Sequence, residues 1–235
     1  MAYLYEYIRT RGVEPLYFEQ HFERFKALVE ESAIYPTTLS RKKLLEDIRA
    51  ALKRKGYSGE AINAVCLKYD LPTATTAIDI EEIYYKTFSV RAMRPKGEFL
   101  YTDGKPLVEQ TSVRMAMCEY NRLMAQKSGD YVALWINSEG ELYALDGASA
   151  VVVFDDKIQF SNLGSGVEFE LAYEAMAKRS QVSKGPITVE ELAGAKEVLG
   201  IDHRGIVALE AIDSHYYMDV TARIIADEVA ALEAK

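Results

Sequence analysis

Arg114, Cys118 and Arg122 follow one another at four-residue spacing. A thiol attacks only as its thiolate, and a guanidinium four residues to either side could supply the positive field that favours the charged form. The competing reading makes Cys118 a small buried hydrophobe. Gly164-Ser165-Gly166, just ahead of an apolar helical pattern, offers free backbone N–H groups to an anion. However, Glu168 and Glu170 fall in the first turn of that helix, where they answer the helix dipole themselves and repel a phosphate. The histidines, His21, His203 and His215, are scattered, and no pair has metal-ligand spacing. No P-loop, G-x-G-x-x-G, G-x-S-x-G or H-E-x-x-H motif occurs.

The bulk of the sequence narrows the partners. The net charge of −8 over 235 residues argues against a general nucleic-acid binder and leaves room for a small ligand. No apolar run approaches the roughly 20 residues of a membrane span, and the first ten residues do not read as a signal peptide. Cys66 and Cys118 are too few and too far apart for a disulfide framework, so a cytoplasmic protein is expected.

The elements that must position these groups can be read by period. Alternation over 2–10, with Tyr3, Tyr5 and Tyr7 on one face and Leu4, Glu6 and Ile8 on the other, predicts a strand. Gly12 turns the chain, and 14–17 is a short return strand. Phe18, Phe22, Phe25 and Val29 predict a helix over 18–33, with His21, Arg24 and Leu28 as an adjacent stripe and Pro36 as its terminator. Ser40 caps a second helix over 40–55, buried through Leu44, Leu45, Ile48 and Leu52. Strands are expected over 61–69 and 78–90.

A Gly- and Pro-containing stretch, 95–106, reads as a linker between an N-terminal α+β domain (1–94) and a C-terminal α/β domain (107–235). In the second part 107–117 reads as extended and 118–128 as helical. Strands follow at 131–136, 141–145, 150–154 and 158–160, then a helix over 167–180. Thr188 and Glu191 form a capping box, stapled by Ile187 and Leu192. Strands at 197–199 and 205–211 and a helix over 217–233 close the chain.

Several segments, in order, resemble the class IV (fold type IV) pyridoxal-phosphate enzymes, which include branched-chain aminotransferases and aminodeoxychorismate lyase. Tyr5-Glu6-Tyr7-Ile8-Arg9 and His21-Phe22-Glu23-Arg24-Phe25 are similar to the family's opening strand and helix. Ala133–Gly140 looks like its central hairpin, and Pro186–Leu192, Ala195–Val198, Gly205–Leu209 and Ile212-Asp213 match its closing pattern. The resemblance implies an α+β, two-domain fold, with a small N-terminal domain and a larger one built on a mixed sheet or barrel. It implies pyridoxal phosphate as cofactor, an amino acid or amino-chorismate type ligand, and a homodimer.

The family's functional positions transfer residue by residue, with losses. Its phosphate-binding arginine corresponds to Arg24. Its imine-forming lysine falls on Cys118 by local similarity, or near Arg114 by spacing from Gly129. A thiol has no amine to give, and a guanidinium stays protonated. The glutamate for the pyridine nitrogen falls on Ala144 or, loosely, Asp146, and the asparagine on Ser149. The two phosphate turns fall on Gly166-Val167-Glu168 and near Ile201-Asp202-His203, each bringing a carboxylate. An active enzyme would need a lysine from elsewhere, with Lys105 and Lys127 the nearest. A member without the cofactor would be a binding or regulatory protein, or would reuse its cleft, with Arg114, Cys118, Arg122, Asp202 and His203 the residues to test. An unrelated α+β protein is the remaining reading.

Overall fold

The alternating N-terminus pairs along its whole length. In a computed structural model that describes residues 2–33, 38–57, 59–83, 87–102, 109–128 (backbone alone at 125–128) and 131–234, strand β1 (Tyr3–Arg11) runs antiparallel to β3 (Ile62–Asp70). Pro36, Lys105 and the side chain of Lys127 lie outside the described residues. The chain divides into two compact units, Met1–Thr87 with Gln110–Val113, and Phe88–Glu109 with Arg114–Lys235.

The first unit is a four-stranded sheet of order β2-β1-β3-β4, with β2 at Glu14–Pro15 and β4 at Thr75–Glu82. Helices α1 (Phe18–Ser32) and α2 (Arg41–Arg54) supply its apolar cover. Ser40 accepts from the Lys43 N–H and caps α2 as expected. Leu4 and Ile8 from β1 pack with Phe18, Phe22, Phe25 and Val29 from α1 and Leu44, Ile48 and Leu52 from α2. Each such side chain contributes about 1.5–3 kcal/mol by leaving water. Glu6 shares that inward face of β1, because its neighbours two residues away do. Its carboxylate is met by His21 Nδ1 at 2.7 Å and Arg24 Nε at 3.4 Å.

The second unit is a ten-stranded mixed sheet. Its main path is β10 (Val182–Gly185), β9 (Ile158–Ser161), β8 (Ala148–Val153), β7 (Leu142–Leu145), β6 (Tyr131–Ile136), β5 (Lys96–Tyr101), β13 (Ala211–Ile212) and β14 (His215–Tyr216). Strand β8 also pairs with β11 (Glu197–Asp202), which pairs in turn with β12 (Gly205–Ala208). Two apolar layers result. One holds Val151, Phe160, Leu199 and Ile206 with helices α4 (Val167–Met176) and α5 (Val220–Glu233). The other holds Leu134, Leu145, Val152, Val198 and Val207 with Ile187 and Leu192. Gly200 lets β11 cross close above β7 and β8, since a Cβ there would stand 3.0 Å from those of Ala148 and Leu145. No helix among the described residues is long and apolar enough to cross a membrane.

Several expectations are corrected. The stretch expected to be extended to residue 117 is helical from Ser112, as helix α3 (Ser112–Ser128). Only its start is extended: Thr111 bridges Leu4, and the Tyr5 N–H donates to Gln110 O. Val113, Met115 and Met117 alternate, but Arg114 and Cys118, one helical turn apart, are the pair that points inward. Residues 95–106, read as linker, carry β5 within the larger sheet. The strand expected over 78–90 is β4, shifted to 75–82 by a turn in which Ala74 takes φ 53°. The helix over 167–180 ends at Met176, and the last helix starts at Val220. The segment after the Thr188–Glu191 capping box is a short 3₁₀ turn, Glu190–Gly194.

Glu6 gives this unit a pH-dependent tie. Burial pushes its carboxyl pKa up, but Arg24 and His21 outweigh burial and hold it below the ordinary 4.5. The stability it contributes is therefore full above pH 4.5 and fades as pH falls through the lowered value. Glu6→Ala, which leaves His21 and Arg24 without their acceptor, is expected to cost about 2–4 kcal/mol in urea unfolding at pH 7.

Candidate functional site

Helix α3 decides which groups meet in the larger unit. Arg114 is 4 % exposed. Its NH2 donates to the Gly147 carbonyl at 2.5 Å, and its guanidinium carbon lies 5.6 Å from the centre of the Trp135 ring. One turn on, Cys118 packs in the cluster of Trp135, Tyr143 and Ala144. It also lies over Gly147, whose φ is +86°; a Cβ there would stand 2.5 Å from Cys118 Sγ. Helix and turn can approach this closely only because residue 147 is glycine. Arg122, a turn further, is exposed and spent on Glu119 at 2.7 and 3.1 Å.

The turn under α3 also presents Asp146, itself at φ 46°. Burial pushes its carboxyl up to about 6, against the pull of Arg204, Arg91 and the Asn121 amide, with Asp202 adding to the rise. Asp146 Oδ1 and Trp135 Nε1 are buried without a hydrogen-bond partner in this structure. Cys118 feels the same surroundings: burial, with Asp146 and Asp202, pushes its thiol up to about 12 despite Arg114 and Arg204. At neutral pH it is a thiol, and the field anticipated from neighbouring arginines does not overcome burial.

Asp202 ends β11 at a two-residue turn into β12. Its Oδ1 accepts from the Arg204 N–H at 2.7 Å and from Arg91 NH2, and its Oδ2 accepts from Arg204 NH2 at 2.8 Å and Nε at 3.2 Å. Arg91 reaches this turn because the Arg91 N–H donates to Ile206 O, and the Ile206 N–H to Ser89 O. Burial opposes the charge on Asp202, but Arg204 and Arg91 hold its carboxyl well below the usual range. His203 is buried beside it.

The structure therefore gathers Arg114, Cys118, Asp146 and Asp202 with Asn121, Arg91 and Arg204. Arg122 stands at the edge, held by Glu119. Arg24 belongs to the other unit and is engaged by Glu6. Arg91 and Arg204 were not anticipated. The turn Asp202-His203-Arg204-Gly205 was a local sign of Arg204, whereas Arg91 lies 111 residues from Asp202 and gave none.

A cavity of about 730 Å³ opens elsewhere, between the β8–β9 turn, the end of α4, and α5. Of its charged lining groups, Arg179 pairs with Glu228, and Asp155 pairs with Lys196. The cluster under α3, with its orphaned buried atoms, is the better candidate site.

An imine to pyridoxal phosphate needs a neutral amine, and its phosphate needs donors. The cluster's described side-chain nitrogens are guanidiniums, the Asn121 amide, the His203 imidazole and the Trp135 indole, and none of them is an amine. Ala144 is an apolar core residue. Ser149 Oγ is taken by Ser165, donating to its O at 2.7 Å and accepting from its N–H at 2.9 Å. The start of α4 carries Glu168, which is buried, and Glu170, which holds Lys184. Asp202 puts a carboxylate at the other turn. These residues do not fit an imine-bound pyridoxal phosphate.

No protein-family model and no curated protein matches this sequence. Solved structures do match it in fold. A candidate 4-amino-4-deoxychorismate lyase from Legionella pneumophila superposes with a TM-score of 0.78 at 16 % identity, over 98 % of this chain and 89 % of that one. A branched-chain aminotransferase from Thermoproteus uzoniensis, solved with norvaline, gives 0.80 at 15 % identity over 98 % and 85 %. A hypothetical aminotransferase from Mycobacterium tuberculosis in its PLP-bound form gives 0.75 at 12 % identity over 97 % and 87 %. The chain has the class IV aminotransferase fold, with its small antiparallel sheet and larger mixed sheet.

Asp146 sets the pH response of the cluster. Its folded pKa of about 6 lies above the ordinary 3.8, so the stability tied to its proton is full below pH 3.8 and is lost as pH rises through 6. Asp146→Asn is expected to flatten that slope and to be about 1–2 kcal/mol more stable than wild type at pH 7.5, measured by urea unfolding across the range.

Proposed function

We propose that this chain is a small-molecule-binding protein on the class IV fold, which takes an amino acid or an amino-chorismate type compound and does not hold it through a lysine imine. One observation carries this reading. The inward position in the first turn of α3 is filled by Arg114, whose guanidinium is committed to the Gly147 carbonyl and the Trp135 ring. A ligand with both an ammonium and a carboxylate suits a cluster of both signs, in which the Arg204 side chain remains 37 % exposed. The fold neighbours, by their names aminotransferases and a candidate lyase, support the ligand class. Both cysteines are free thiols, which supports a reducing, cytoplasmic compartment.

Purified protein is expected to be colourless, to gain no imine band with added pyridoxal phosphate, and to yield no pyridoxyl-lysine peptide after borohydride. Such a peptide, at Lys105, Lys127 or any other lysine, would establish the enzyme reading instead. Amino acids and amino-chorismate analogues are expected to raise the melting temperature without colour.

We also propose a homodimer. Tyr120, Leu123 and Met124 are exposed along α3, 59, 48 and 45 % respectively, an apolar surface of the kind that partners cover. Leu123→Glu is expected to move the mass in light scattering from dimer to monomer; a wild-type monomer would remove the proposal.

A further inference from the structure

A carboxylate at a turn is ordinarily hydrated, or met by one cation. Asp202 is instead enclosed by four donors from two guanidiniums and one backbone N–H: Arg91 NH2, and Arg204 N, Nε and NH2. Its side chain is 14 % exposed, against 20 % for Arg91 and 37 % for Arg204. The donors thus converge on a point just below the surface. Two guanidiniums and a backbone N–H around one oxyanion are also what a bound phosphate receives from a protein. Asp146, a second carboxyl on which Arg91 and Arg204 act, is already pushed toward its neutral form by burial. Removing the Asp202 charge takes from Arg91 and Arg204 a carboxylate to which both donate.

We propose that the Asp202 carboxylate is a built-in anion, occupying the Arg91–Arg204 pair and so keeping phosphate-bearing ligands out of this cluster. The pair is a phosphate-type receptor filled from within the chain. This does not depend on which small molecule the protein takes: it states that the ligand brings no phosphate to this turn. It also accounts for a turn that keeps donors fit for an anion while carrying an acid in their midst.

The test compares thermal unfolding in inorganic phosphate with unfolding in chloride of equal ionic strength, with no pyridoxal compound present. Wild type is expected to melt at the same temperature in both. Asp202→Ala is expected to melt lower in chloride and to recover by about 4 °C or more in saturating phosphate. The double variant Asp202→Ala/Arg204→Gln is expected to lose that recovery. If Asp202→Ala does not fold in chloride, phosphate-dependent return of its far-UV circular dichroism is the supporting result. A wild type that responds to phosphate as strongly as Asp202→Ala would overturn the proposal. So would an Asp202→Ala variant on which phosphate has no effect, whether on the melting of the folded protein or on the refolding of an unfolded one.

Discussion

Guanidiniums drawn into the same buried turn need an anion between them, and this requirement organises the larger unit's polar centre. Asp202 meets it. The acid can do so only because β11 ends at this residue and turns at once into β12, returning Arg204 to its own neighbour but one. Arg91 arrives from far away in the chain, along backbone hydrogen bonds to β12. The strong pair at Asp202 leaves Asp146, on the next turn over, with the weaker share of the same two cations. Burial then decides its charge, and its carboxyl rises where that of Asp202 falls.

A second constraint acts from above. Helix α3 lies close over the Asp146–Gly147 turn, which a side chain at residue 147 would prevent. Arg114 closes the contact by donating to the Gly147 carbonyl while its guanidinium lies over the Trp135 ring. A buried lysine at the same position would have a single ammonium to place and could shed its proton; a guanidinium does neither, and so suits a fixed contact better than a reversible bond. The scaffold is shared with aminotransferases, and a shared fold does not by itself assign a task to the side chains at its centre.

The periodic elements were legible because each is set by its own residues. The alternation of β1, the Phe18-to-Val29 stripe of α1 and the Ser40 cap of α2 all appear where local pattern puts them. The start of α3 misled for a specific reason. Its apolar residues fit a period of two, while its buried faces follow a helical turn, and only the short pairing of Thr111 with Leu4 shows where extension stops. Strand β5 was hidden in a Gly- and Pro-containing stretch because what makes it a strand is its parallel partner β6, thirty-five residues on.

Local sequence was enough to fix the alternation and capping that build most elements, and to space Arg114 and Cys118 four residues apart, because side-chain type and neighbour spacing are properties of a short stretch. The charge states at the centre were settled only by the tertiary structure. The pair Arg91–Asp202, the closeness of Cys118 to Gly147 and the contrast between Asp146 and Asp202 depend on how deeply each group is buried and which distant charge faces it. Those are properties of groups brought together across many residues, and no short stretch of the chain contains them.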